Sequence, residues 1–441
     1  MRSSHMHDRL GVAFDDERLV ADAGLLLPVT LAAHLGLRAL ADTHVDLGAA
    51  PGRAHVGDKL LALVASALAG GDCIDDTNAL RAGGTTAVLD QRVPAPSTLG
   101  TFLRSFRWGH VRQLDLVSRR LLARAWAAGA GPGAAAFTLD LDSTICETYG
   151  LAKQGAQHHG YTHVRGYHPL LAVGAGTGDV LHTRLRGGNA NSGRGAGSFL
   201  AETIARVREA GASGALTVRA DSGFYSHAVV ATARRHHVRF SITARLSPAL
   251  RTVIEAIPAA DWQPIPYWLA GAAAVAETTY TPFASAPDAT PVRLLVRRIR
   301  PTPGTQLALF TDYAYHACIT DRDGDLLALE ADHRRHAEIE NAIRDLKYGV
   351  GLNHLPSGKF GANGAWLVIQ VLAHNLARWT ARLGFGVGIL TTKTLRRRFF
   401  HVPGRLARSA RRVTVHLPAH WPWASDFATA LSRLRTLPLL A

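Results

Sequence analysis

The feature that most constrains this chain is an ordered run of strands and helices between Phe137 and Thr243. Phe137-Thr-Leu-Asp-Leu-Asp142 alternates apolar and polar residues as a half-buried strand does, and Tyr167–Val173 and Val180–Arg186 read the same way. A Gly-, Asn- and Ser-rich loop, 187–197, leads to an amphipathic helix over 198–210. A strand (215–220), a helix (224–236) and a strand (238–243) follow. Three strands, then helix, strand, helix, strand predict an α/β fold whose mixed sheet carries connections on both faces.

The flanks differ in kind. Residues 1–135 read as a helical domain, with an apolar helical face from Asp58 that stops at Gly70-Gly71. Thr85–Ser97 reads as a polar, Pro-containing break, Ser97 as the cap of a helix running through Phe106 and Leu116, and 127–136 as a linker. The sheet region, 136–245, is followed by a Pro-, Thr- and aromatic-rich stretch with one clear strand, Val292–Arg300. We read 246–328 as a β-rich insertion, and 329–390, with helices over 329–348 and 361–383, as the second part of the core. Residues 391–441 hold ten Lys and Arg against one acid, Asp426, and read as a basic tail.

With 47% hydrophobic and 19% charged residues the chain has a globular balance. No run approaches the ~20 apolar residues of a membrane helix, and the first residues lack a secretory h-region. Cys73, Cys146 and Cys318 form no CxxC pair, which argues against a disulfide framework or structural zinc and fits a reducing cytoplasm. The net charge of +15 favours a polyanionic partner, and 44 of the 49 basic residues are Arg, whose planar fork suits phosphate. A GC-rich genome also enriches Arg, so the net charge carries more weight than the bias.

Two acids stand at strand ends: Asp142 in Leu139-Asp-Leu-Asp-Ser-Thr144, and Asp221 in Val218-Arg-Ala-Asp-Ser-Gly-Phe224. That end of a sheet faces the usual ligand crevice. Either Asp alone is as readily a helix N-cap; two on one sheet in a basic protein favour function. A third, Glu340, borders the apolar stripe Ile339, Ile343 and Leu346, with His336 one turn before it and Arg344 and Lys347 after, whereas Glu338 faces Asn341 and Arg334. The plainer reading is a solvated helix face. Three converging carboxylates would instead hold two Mg²⁺ ions, which Mn²⁺ can replace, for phosphodiester chemistry, with Lys347 on a phosphate.

These segments resemble the blocks of DDE transposases with an RNase H-like core, in the subgroup known as insertion sequence group 1380, related to group 4. The resemblance spans about residues 10–385 and rests on LDLDST (139–144), GYHPLLAV (166–173), RADSGF (219–224), IENAIRDLKYG (339–349) and Ala373-His-Asn-Leu376, in that order. It implies that Asp142, Asp221 and Glu340 are the metal ligands, and that double-stranded DNA, both terminal inverted repeats and target, is the partner. It also implies a homodimer in the synaptic complex, in a bacterial cytoplasm at the nucleoid. Relatives often carry Tyr and Arg where this chain has His333 and His336, so His336, Arg334, Arg335 and Arg344 become candidate DNA contacts. Arg396, Arg397 and Arg398 join them from the basic tail. Trp262 and Trp268 fall in the insertion, where related transposases place a base-stacking aromatic; the alternative is that they fill a β core.

Two other functions compete. Asp140-Leu-Asp-Ser-Thr144 spells the DxDxT nucleophile motif of haloacid dehalogenase-type phosphatases, with Asp140 as nucleophile. A non-catalytic, DNA-binding derivative of a transposase is the other. Gly174–Gly178 reads as a hairpin turn rather than a phosphate loop, and Asp321–Asp325 as a turn rather than a calcium loop.

Overall fold

The computed structural model describes residues 10–266, 272–300 and 313–439. Nine strands form the main sheet: β1 (Phe137–Ser143), β2 (Leu170–Gly174), β3 (Val180–Arg184), β4 (Leu216–Ala220), β5 (Arg239–Thr243), β6 (Gln263–Ile265), β7 (Ala273–Tyr280), β8 (Val292–Ile299) and β9 (Ala314–Thr320). They run in the order β6-β7-β8-β9-β5-β4-β1-β2-β3. β1, β2 and β3 are an antiparallel meander, and β4 and β5 lie parallel to β1 on its other side, each entered through a helix, Ala196–Glu209 and His227–Arg235. That five-stranded unit is the α/β core expected from the strand–helix order.

The structure corrects several boundaries. Tyr167–Val173 is two strands, because Pro169 has no N–H to donate to a ladder. Arg165–Tyr167 joins Cys146–Glu147 and Gln157–His158 in a small separate sheet, and β2 starts at Leu170. The supposed break at Thr85 holds a helical turn, Thr85–Leu89. The helix given to Ser97 starts at Pro96 and ends at Arg104. Arg107 then turns extended, its N–H donating to His110 Nδ1 (3.2 Å), and a new helix runs Trp108–Ala125. The insertion forms no sheet of its own: β9 pairs antiparallel with β5, Cys318 opposite Thr243, so its strands lengthen the core sheet.

The C-terminal segment is folded rather than a tail. Phe399 and Phe400 are buried, β10 (Gly404–Ser409) pairs with Leu19–Val20 and with β11 (Arg412–His416), and the helix Ala424–Arg435 packs on Leu26–His34. One apolar cluster runs from the N-terminal helices through the sheet to this segment. At its centre is the helix Phe360–Trp379, buried on nearly every side. Its Asn375 side chain accepts from the Val180 N–H and donates to the Val180 carbonyl, both at 2.8 Å, which fixes the helix to β3. Among the described residues no single helix is long and apolar enough to cross a membrane.

Candidate active site

Parallel register places two of the acids. Asp140 lies opposite Arg219 and Leu141 opposite Ala220, so the next step sets Asp142 beside Asp221 where β1 and β4 end. Asp221 turns the chain sharply: its Oδ1 accepts the Gly223 N–H at 3.0 Å. Glycine is needed there, since a Cβ on Gly223 would sit 2.8 Å from that of Ser192 and 3.0 Å from Asp221 Oδ1.

Side chains two apart share a sheet face. Beneath the two acids lies a buried polar row of Asp140, Arg219 and Ser241, in register across β1, β4 and β5. Arg219 grips Asp140 with a fork, Nε to Oδ1 at 2.7 Å and Nη2 to Oδ2 at 2.8 Å, and also donates to Asp332. The helical segment that begins at Leu326 lies over this row. His333 bridges the Ser241 and Thr243 hydroxyls (2.8 and 2.9 Å), and His336 Nδ1 meets Asp140 Oδ1 at 3.1 Å. Burial pushes the His333 imidazole down to about 3, so it is neutral here. Residues 333, 336 and 340 are spaced three and four apart, which directs Glu340 to the same side.

The expected long helix is a composite: α-helix to Arg334, a 3-10 turn Arg335–Glu338, α-helix Ile339–Arg344 and a π turn Asp345–Gly349. Asp142 and Asp221 thus stand side by side by register, and Glu340, exposed on the overlying helix, lies near enough for its charge to act on Asp142. Burial chiefly, then the neighbouring charges of Asp221 and Glu340, push the Asp142 carboxyl up to about 6, against the Ser143 N–H that it accepts at 2.6 Å. Glu338 is exposed and pairs with Arg335 (3.0 Å), not with Asn341 or Arg334. Lys347 donates to the Ile145 carbonyl (2.8 Å), just past the end of β1. The candidate donors at the site are all carboxylate oxygens, a set that suits a hard divalent cation. The group of three potential ligands with atoms within 4.8 Å of one another lies elsewhere among the described residues, at Asp72, Cys73 and Asp76. There Asp76 already accepts the N–H groups of Asp72 and Cys73.

Other candidates fare unevenly. Asp140 is 1% exposed and held by Arg219 and His336, so it is no free phosphatase nucleophile. His336 is correspondingly committed to the sheet rather than to solvent. Arg334, Arg335 and Arg344 are exposed, beside Glu330, Glu338 and Asn341 respectively. Arg396 is spent inside the protein, donating to the carbonyls of Leu68, Ala67 and Gly349; Arg397 and Arg398 are exposed, with Arg398 over the Trp423 ring. Trp262 is 9% exposed beneath the Arg298 guanidinium (4.2 Å from the ring centre), a core residue rather than a base-stacking one. Trp268 lies outside the described residues.

Sequence reasoning placed the 187–197 loop but gave it no part in the site. Ser192 hydrogen-bonds Ser143 (2.9 Å) and packs on Gly223, closing the loop over the acid end of the sheet, while Arg186 ties it down through the Asn191 and Arg194 carbonyls (2.7 and 3.1 Å). Its Gly density was the available signal. It leaves Arg194 exposed at the rim.

A meander of three strands, two more parallel to its first, and acids at the two central strand ends define an RNase H-like core of the kind that cuts and joins nucleic acid. Residues 3–439 match the family model for the transposase DDE domain, group 1, and the chain belongs to that family of DNA transposases. No curated protein sequence matches it. The cryo-EM structure of a piggyBac transposase synaptic complex with hairpin DNA is similar at 12% identity and a TM-score of 0.46, over 87% of this chain and 80% of that one. That likeness is too distant to carry function.

Proposed function

We propose that this transposase cuts the ends of a bacterial insertion sequence of group 1380 and joins them to target DNA, using two Mg²⁺ ions held by Asp142, Asp221 and Glu340. The observation that carries the reading is Asp142: a carboxylate set by register beside Asp221 and pushed up to about 6 by burial and by the charges of Asp221 and Glu340. Such a site is short of positive charge. Bound divalent cations, Mg²⁺ or Mn²⁺, supply it, together with the Lewis acidity that readies an attacking hydroxyl and stabilises the leaving oxygen.

The protein's own groups do the rest. The Asp140–Arg219 row holds the two strand ends and the Glu340 helix at fixed spacing, so the acids need no rearrangement as the phosphodiester arrives. Lys347, anchored at Ile145, steadies a phosphate oxygen as a compact point charge. Arg344 and Arg194 present exposed guanidinium groups to the strand on either side. In cleavage, water attacks phosphorus and the 3′ oxygen leaves; in joining, that 3′ hydroxyl attacks a target phosphodiester and displaces its 3′ oxygen. The helical region 1–135 reads the terminal inverted repeats, 136–245 and 329–390 form the catalytic core around the 246–328 insertion, and two copies act together in the synaptic complex at the nucleoid.

The test is cleavage of a duplex carrying the element's ends, with Mg²⁺. Asp142→Ala, Asp221→Ala and Glu340→Ala each abolish cutting and joining and leave DNA binding near the parent's, while Glu338→Ala stays close to the parent. Substantial Mg²⁺-dependent cutting by any of the first three contradicts the proposal.

A further inference from the structure

The β10–β11 hairpin is a basic element with little to neutralise it. Between Gly404 and His416 it carries Arg405, Arg408, Arg411 and Arg412 and no acid. Its root is pinned: β10 pairs with Leu19–Val20, Leu406 is buried and donates its N–H to the Arg18 carbonyl (2.8 Å), and Arg405 pairs with Asp16 at 3.1 Å. Beyond the root every residue from 407 to 414 is exposed, including Val413 at 51%. Arg408, Arg411 and Arg412 make no ion pair or side-chain hydrogen bond among the described residues. Ser409 faces Arg412 across a tip formed by Ala410, at φ 53°, and Arg411. The side chains between the arginines are small: Ala407, Ser409, Ala410 and Thr414.

We infer that this ribbon inserts its tip into the major groove of duplex DNA. Two strands ~4.8 Å apart with small side chains make a slim blade, and the major groove, ~12 Å wide, admits a two-stranded ribbon. Alternation puts Ala407, Ser409, Arg412 and Thr414 on one face and Arg408 with Val413 on the other. The face of small residues turns to the groove floor, with Arg412 reaching base edges, while Arg408 and Arg411 hold the flanking phosphates. The choice of DNA as polyanion rests on the transposase reading; the ribbon's part is measured without any cleavage, so the two stand or fall separately.

The experiment uses the full chain and a fluorescent duplex of arbitrary sequence, followed by anisotropy across a salt series. The variant Arg408→Gln/Arg411→Gln/Arg412→Gln keeps the parent's thermal melt and binds on the order of a hundredfold more weakly at about 0.1 M salt, with a salt slope shallower by about one per arginine. Arg208→Gln/Arg235→Gln/Arg251→Gln, the same charge loss spread over exposed sites elsewhere, stays close to the parent. Methyl green, which occupies the major groove, suppresses the ribbon-dependent part of the binding, and the minor-groove ligand netropsin does not. An unchanged affinity and slope in the ribbon variant overturns the inference. So does an equal loss in the scattered control, or suppression by netropsin alone.

Discussion

At Asp142 burial and the neighbouring acids act in the same direction, and the sign of the consequence is definite. Its carboxyl rises from 3.8 to about 6 in the folded protein, so the folded state holds this proton more tightly than the unfolded chain does. The resulting stability is present below pH 4 and is lost as pH rises through 6, a difference of about 3 kcal/mol. Without divalent metal, Asp142→Asn is therefore more stable than the parent at pH 7.5 and similar to it near pH 4, by chemical denaturation. Added Mg²⁺ closes the gap by stabilising the parent alone; a gap that persists at both pH values contradicts the electrostatic account. The three acids were legible from sequence because each follows an apolar pattern that fixes where it falls: the penultimate residue of a strand, the residue just after one, and the border of a helical stripe. The partners of Asp140 were not. Register between parallel strands 79 residues apart is a tertiary fact, and without Arg219 nothing in the motif Asp140-Leu-Asp-Ser-Thr144 itself rules out a phosphatase nucleophile.

Among the elements, the helical segment over the sheet is aligned by polar contacts, which makes it exacting. Arg219→Met leaves Asp140 buried without its guanidinium partner and is expected to cost about 3–5 kcal/mol of folding free energy, read from the denaturation midpoint. A loss below about 1 kcal/mol, the worth of a surface pair, sinks the claim that this row holds the helix. Trp262→Ala belongs to the same class of test. As a core residue it costs about 3–5 kcal/mol, yet the folded fraction completes both cleavage steps. A stable variant that nicks and then stalls restores the stacking role. Insertion strands were legible as β structure, but not as continuations of the core sheet: an edge strand's pattern records which face is buried and not which strand lies beside it. The same limit hid the helical turn at Thr85–Leu89, too short to show a period.

On the scale of the whole molecule, the two ends of the chain clasp each other, which composition alone concealed. The Arg-rich 391–441 region supplies net +9 of the +15, and its charge masked the apolar residues, Leu395, Phe399 and Phe400, that fold it onto Ala23–Leu25. Gly24 passes so close to Phe399 that a Cβ would lie 1.6 Å from its carbonyl oxygen. Gly24→Ala is expected to lower the melting temperature by several degrees, as an overpacked core site does. Removal of residues 391–441 is expected to give insoluble protein rather than a folded enzyme with weaker DNA binding; a soluble, cooperatively melting truncation contradicts the clasp. The central claim is where the divalent cations sit, and it can be read on the polypeptide itself. With Fe²⁺ in place of Mg²⁺, ascorbate and peroxide cut the backbone next to bound iron, and mass spectrometry maps the breaks. The account predicts breaks beside Asp142, Asp221 and Glu340, suppressed by excess Mg²⁺ and absent in Asp142→Ala/Asp221→Ala. Breaks confined to the Asp72–Asp76 loop, or unchanged in that double variant, would contradict it.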